Sequence, residues 1–240
     1  MRFDIKHEPQ RFAELIFAEQ AARDICERYA FGTPYKSLML WGEPGTAKTT
    51  TARTIAKERL GGKDYIAELD GAGFKMDKME AKIINSASMQ RISVGEAIVI
   101  INEFDELDRA EQAKFRAFMS QFTSINYIVT TNEKPSVFGA KQKLMPALLS
   151  RFEVVELVKP KLDDCLPRVQ QIFADEGYVV TEAKLRTLLA SFSGDIRDLL
   201  PLVETAVVQL NNVNSVTVAT QQVATQKHLQ VVSNSSSVEK

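Results

Sequence analysis

Residues 42–49 read Gly42-Glu43-Pro44-Gly45-Thr46-Ala47-Lys48-Thr49, and this octapeptide constrains the fold more than any other stretch of the chain. Before it runs Ser37-Leu38-Met39-Leu40-Trp41, a short apolar segment of strand type. After it, Thr50 to Leu60 carries apolar residues at helical spacing. Strand, glycine-bearing loop and helix, in that order, form the setting in which the pattern G-x-x-x-x-G-K-[ST] cradles the phosphates of a nucleotide. Backbone N–H groups of the loop and the positive end of the helix face the phosphates. Lys48 is placed to reach the β- and γ-phosphates, and the Thr49 hydroxyl to ligate Mg²⁺. Residues 42–49 together with Thr50 are thus the expected nucleotide-binding loop. Ala47 stands where the pattern has its second glycine. A helical φ at that position costs little, whereas a left-handed φ strains the loop.

The bulk properties fit a globular chain large enough for one big or two small domains. It has 240 residues, 45% hydrophobic and 25% charged, with no apolar run of membrane-spanning length and no N-terminal apolar stretch of secretory type. A cytoplasmic location (host cytoplasm for a viral chain) is expected, with no membrane contact. Cys26 and Cys165 lie far apart and lack metal-ligand spacing, so they are expected to be buried thiols. His7 and His228 leave no room for a histidine-based metal site. The formal net charge is −1, so nucleic-acid contact requires a local basic face.

Periodicity and breakers predict a helix over 10–31, stopped by Gly32-Thr33-Pro34, and strands at Ser37 to Trp41 and Tyr65 to Leu69. A helix over 75–89 precedes the continuous β-branched run Ala97 to Ile101, which reads as a buried parallel strand. A helix over 109–122 and strands at Tyr127 to Thr131 and Phe152 to Leu157 follow. Alternation of this kind implies a three-layer α/β/α fold with a parallel sheet. Beyond Lys159-Pro160 the pattern is helical only, at 162–175, 181–191 and 195–211, with a short strand and helix expected in 215–229. The predicted organisation is an α/β domain over 1–158, a helical lid over 159–229 and a frayed tail over 230–240.

The strand from Ile98 ends in Asn102-Glu103, followed by Phe104-Asp105. An apolar strand ending in Asp-Glu is the second half of many P-loop ATPase sites: the Asp holds the Mg²⁺ water shell and the Glu orients the attacking water. Asn102 can still hydrogen-bond a water but lacks the charge. Glu103 stands at the position of the base.

With these two elements the chain resembles the AAA+ ATPases, and among them the ATPase subunits of sliding-clamp loaders of phage type, over most of residues 8 to 210. Glu8-Pro9 with Phe12 to Ile16 resembles the N-terminal box that packs on adenine, Gly42 to Thr49 the Walker A loop, and Ile98 to Asp105 Walker B. Thr131-Asn132 resembles sensor 1, Ser150-Arg151-Phe152 the loader Ser-Arg-Cys motif, and Gly194-Asp195-Ile196-Arg197 sensor 2. The resemblance implies ATP and Mg²⁺ as cofactors. Asn132 would watch the γ-phosphate, Arg151 would act as a trans finger on a neighbour's site, and Arg197 would tie the lid to the nucleotide. It also implies a ring of like or related subunits acting on a clamp and on primer–template DNA. On their own, Arg151 also reads as a solvated surface arginine and Arg197 as an ion pair with Asp195 or Asp198.

Lys75, Lys78 and Lys82 recur at helical spacing. In loaders the corresponding helix tracks the template backbone, a sequence-independent contact; a solvated face balanced by Asp77 and Glu80 is the plainer reading. Arg116 aligns roughly with a family arginine that couples DNA to the catalytic Glu. Phe152 replaces the usual Cys, and no stretch corresponds to the loaders' helical collar. Three functions stay open: a DNA-stimulated ATPase of a clamp loader, a subunit that binds nucleotide with weak or no hydrolysis because of Ala47 and Asn102, and an AAA+ helicase loader or remodeller.

Overall fold

The computed structural model describes residues 2–62, 66–136 and 143–211. After a single turn, α1 (Phe3–Lys6), the chain forms α2 (Gln20–Phe31), β1 (Ser37–Trp41), α3 (Lys48–Arg59), β2 (Ala67–Asp70) and α4 (Met76–Val94). It continues through β3 (Ile98–Asn102), α5 (Arg109–Gln121), β4 (Asn126–Thr131), the short α6 (Pro146–Leu149) and β5 (Phe152–Glu156). Two further helices, α7 (Leu162–Asp175) and α8 (Glu182–Leu188), are itself followed by α9 over residues 196–211.

The five strands form one parallel sheet in the order β2-β3-β4-β1-β5. β1, β3 and β4 are flanked on both sides, and their residues Leu38 to Leu40, Ile98 to Ile101 and Tyr127 to Val129 are buried on both faces. That is why they read as continuous apolar runs rather than alternating ones. Two apolar cores fill the faces. One gathers Ile83, Phe104, Phe115 and Tyr127 under α4 and α5; the other gathers Cys26, Leu40, Ile55 and Ile100 under α2 and α3. A third core, built around Val169, Phe173, Leu185 and Val203, holds α7, α8 and α9 together, with Phe3 and Ile16 of the N-terminal segment packed against it. Both cysteines are buried free thiols, and desolvation pushes each up to about 12. Among the described residues no helix is long and apolar enough to cross a membrane.

The expected helix over 10–31 begins only at Gln20. Its first part is a single 3-10 turn, Phe12–Glu14, followed by extended chain. Tertiary contacts override the helical spacing there. Phe12 and Leu15 are buried beneath α3, the Glu58 carboxylate accepts from the Phe12 N–H at 2.8 Å, and the Glu14 carboxylate accepts from the Gln10 N–H at 2.6 Å. The helix expected over 75–89 runs on to Val94. Gly95, left-handed at φ 80°, caps it, and the buried Gln90 amide exchanges two hydrogen bonds with the Ile98 backbone. The second strand starts at Ala67, with Tyr65 outside the described residues, as are the expected elements in 215–229 and the tail.

Candidate nucleotide-binding site

The loop 42–47 leaves the C-terminal end of β1, next to the ends of β3 and β4 that precede Glu103 and Asn132. At Gly42 a Cβ would lie 2.1 Å from the Leu157 carbonyl oxygen, so the loop can pass β5 only with glycine there. α3 starts at Lys48, and its first-turn N–H groups have no intrahelical acceptor. Ala47 is left-handed, φ 62° and ψ 27°, which costs an L-residue about 1–2 kcal/mol. Of the two conformations open to Ala47, the loop takes the strained one.

A cleft of about 370 Å³ is lined by Pro44, Gly45, Ala47, Lys48, Thr49, Thr50, Glu103, Thr130, Thr131, Asn132 and Arg197. The Lys48 ammonium donates to the Gly42 and Glu43 carbonyls, both at 2.8 Å. Burial lowers its pKa and Arg197 adds to this, while Asp105 and Glu103 oppose it. The Asn132 N–H donates to Asp105 Oδ1 at 3.2 Å. Asp105 is 7% exposed, and Lys143 approaches it at 3.9 Å. A second hollow of about 420 Å³ adjoins the first and is lined by Pro9, Leu15, Ile16, Ala47, Ile172, Arg197 and Leu199 among others. Its apolar walls suit a flat heterocycle. Pro9 and Leu15 of the N-terminal segment reach it, whereas Phe12 lies in the core beneath.

The helical part meets the loop directly. The Ile196 N–H donates to the Gly45 carbonyl at 2.9 Å, and a Cβ on Gly45 would come within 2.3 Å of the Asp195 carboxylate. Arg197 grips Asp195 with Nε at 3.0 Å and Nη2 at 2.5 Å, which holds that carboxyl down at about 2. The plainer reading of Arg197, an ion pair with Asp195, is therefore present, and the same side chain lines both hollows.

Glu103 is also left-handed, at φ 49°. Its N–H donates to Thr130 Oγ1 at 3.2 Å, and the Thr130 hydroxyl donates to Asn102 Oδ1 at 3.2 Å. Asn102 lies behind these two residues, half buried, and its Nδ2 donates to Glu68 Oε1 at 2.5 Å. Glu68 is in turn held by Arg53 through two bonds of 2.8 Å. For a magnesium ion the cleft offers a hydroxyl at Thr49 and a carboxylate at Glu103, while the amide oxygen of Asn102, set behind the lining and already accepting from Thr130, can serve only through a water. The described residues hold no cage of three or more acidic, His or Cys side chains, and Mg²⁺ is commonly bound through few protein ligands plus phosphate.

Arg151 is elsewhere. It precedes Phe152, which pairs with Ser37 at the start of β1, so the length of β1, about 13 Å, separates it from the loop end of the sheet. Its Nη2 donates to Ser120 Oγ at 2.8 Å. Lys75 pairs with Asp108 at 3.1 Å; Lys78 and Lys82 are exposed one turn apart on α4, also away from the cleft. Asp77 pairs with Lys114 on α5 rather than with these lysines. Thr130 and Glu68 are the participants that sequence reading overlooked. The register supplies a signal for one of them: Thr130 follows Val129, the partner of Ile101, at the same strand end as Asn102.

The sequence model of the ATPase family associated with various cellular activities (AAA) matches residues 38–160. Replication factor C subunit 5 of Mus musculus is 25% identical over 220 residues, covering 90% of this chain and 63% of that protein. The replication factor C small subunit of Methanococcus vannielii is 23% identical over 215 residues, covering 87% and 65%. The chain thus spans a little under two thirds of the length of these relatives. Among solved structures, a point mutant of RuvB from Thermotoga maritima superposes with a TM-score of 0.65 at 19% identity, over 87% of this chain and 68% of that one. Domain III of the replication initiation protein DnaA from Thermotoga maritima gives 0.62 at 15% identity, over 85% and 90%. Both share the fold.

Proposed function

The chain belongs to the AAA family of ATPases, and from that premise we propose that it binds and hydrolyses ATP with Mg²⁺ as one subunit of a ring that opens a sliding clamp and loads it on primer–template DNA. The observation that carries this reading is the convergence of Lys48, Glu103, Asn132 and Arg197, from four separate segments, on one cleft at the loop end of a parallel sheet.

In this reading Lys48 exchanges the carbonyls of Gly42 and Glu43 for phosphate oxygens, and the N-terminus of α3 adds its dipole. Thr49 would hold Mg²⁺, with Asn102 acting through a water; when bound, the ion would supply positive charge at the phosphates. Glu103 orients the attacking water and takes its proton. Asn132 places its side chain at the γ-phosphate. Arg197 exchanges Asp195 for phosphate, so the helical part responds to the nucleotide. Arg151 faces away from its own cleft, which supports its use on a neighbour's. The clamp and the ring rest on the resemblance of Ser150-Arg151-Phe152 to the loader motif. DNA contact rests on Lys78 and Lys82 with Lys75, a backbone-tracking set expected to bind with strong salt dependence.

The test is the rate of phosphate release, with and without primed DNA, over a range of protein concentrations. A rate that climbs with concentration supports a shared site. A rate no higher than that of Lys48→Ala in the assembled complex overturns the proposal. A subunit that binds nucleotide without turning it over is the second reading, and the amide at position 102 favours it. Turnover that vanishes in Glu103→Gln decides for hydrolysis.

A further inference from the structure

The oddest residue in the acidic strand end is Asn102, and its surroundings explain what it is bonded to. A carboxylate can only accept hydrogen bonds, so Glu68 fixes the amide with Nδ2 toward β2 and Oδ1 toward Thr130. That leaves the Thr130 hydroxyl as donor to Asn102 and its lone pair as acceptor for the Glu103 N–H. The donors therefore run from Glu103 through Thr130 and Asn102 to Glu68, where Arg53 donates from the other side, and the far end of the row is a residue held in a left-handed conformation. An aspartate at 102 would set two carboxylates against each other at the place where Asn102 now donates at 2.5 Å.

We propose that Glu68, braced by Arg53, is a positioning residue of the nucleotide site: it orients the Asn102 amide and, through Thr130, the backbone of Glu103. The inference rests on the ATP reading above for its purpose, and on the hydrogen-bond row for its existence. The polarity of the Glu68–Asn102 pair is reversible. Glutamine at 68 facing aspartate at 102 restores that bond with donor and acceptor exchanged, while Arg53 keeps only its Nε bond to the glutamine oxygen, so the restoration is partial.

The experiment is a double-variant cycle of Glu68→Gln, Asn102→Asp and the two together, with Glu68→Ala added. Thermal unfolding without nucleotide or metal is read first, then the Mg²⁺ dependence of ATPγS binding by calorimetry. Asn102→Asp alone is expected to lower the Tm, and adding Glu68→Gln to raise it again toward wild type, a coupling that independent sites do not show. Glu68→Ala is expected to raise the Mg²⁺ concentration needed for half-maximal tightening of ATPγS by about 10-fold, with Mg²⁺-free affinity within about 2-fold of wild type because Lys48 is untouched. A double variant no more stable than Asn102→Asp, or a Mg²⁺ dependence unchanged in Glu68→Ala, overturns the inference. Failure of the ATP reading is a separate result: wild-type protein would itself show no Mg²⁺-dependent nucleotide binding.

Discussion

The two edges of the sheet are made by the same five strands and carry opposite kinds of chemistry. At the C-terminal edge, the segments after β1, β3 and β4 bring Lys48, Glu103 and Asn132 to one cleft, and the first turn of α9 adds Arg197. At the N-terminal edge stands Arg151, hydrogen-bonded to Ser120 on α5. Parallel strands gather the segments that follow them on one side, and Arg151 precedes its strand. The contrast teaches that one chain carries its basic Arg151 and its cleft at opposite ends of the same sheet. In the proposed ring, one chain would offer the cleft and a neighbour's opposite edge the arginine.

The sharpest way to break that comparison is to disable the edges in different molecules. Lys48→Ala is expected to abolish nucleotide binding, and Arg151→Ala to lower turnover by about 10³-fold while leaving nucleotide affinity within about 3-fold. Mixing the two variants should restore part of the phosphate release, because the Lys48→Ala chain still presents Arg151. A mixture as inactive as its components removes the trans assignment. Within the receiving edge, Glu103→Gln is expected to cost roughly 10²–10⁴ in turnover with ATP still bound in calorimetry; an unchanged rate would take the base role from Glu103.

The cleft was legible in the sequence to the extent that it is local. Gly42 to Thr49 and the strand Ile98 to Asn102 are contiguous, and their apolar runs and breakers mark them directly. What local pattern could not disclose is the contact made across strands. Glu68 reads as a polar residue on a half-buried strand, and only the register beside β3 brings its side chain to Asn102. The same limit hid the true path of residues 10–19, whose helical spacing of Phe12 and Leu15 is used by the core without a helix. The sequence did pose the question of Ala47 but could not answer it, because φ follows from how the loop passes Leu157 and meets Asp195.

Smaller effects sharpen the contrast further. Ala47→Gly relieves a left-handed alanine; the gain of about 1–2 kcal/mol is offset by about 0.4–1 kcal/mol of added unfolded-chain entropy. A net stabilisation of about 0.5–1 kcal/mol by denaturant unfolding is expected, and a loss would show that the methyl packs usefully. The weakest effect concerns acid. Arg197 holds Asp195 at about 2 in the folded protein, below the ordinary value of 3.8. A carboxyl depressed by folding contributes stability that is complete above its unfolded pKa and is lost as pH falls from there through about 2. Asp195→Asn should therefore flatten the stability profile over that acid window only. The exposed guanidinium, open to solvent screening, keeps the effect small.

The bond from the Ile196 N–H to the Gly45 carbonyl fastens the first turn of α9 to the glycine that the phosphates would approach. Residues 196–211 form a rod of about 24 Å, and Val203, Ala206 and Val207 weld it to α7 and α8. Each 10° of tilt at that pivot swings the far end by about 4 Å at the standard helical rise. A tilt at Gly45 would in this way be geared up to a displacement of several ångströms at the far end of the rod.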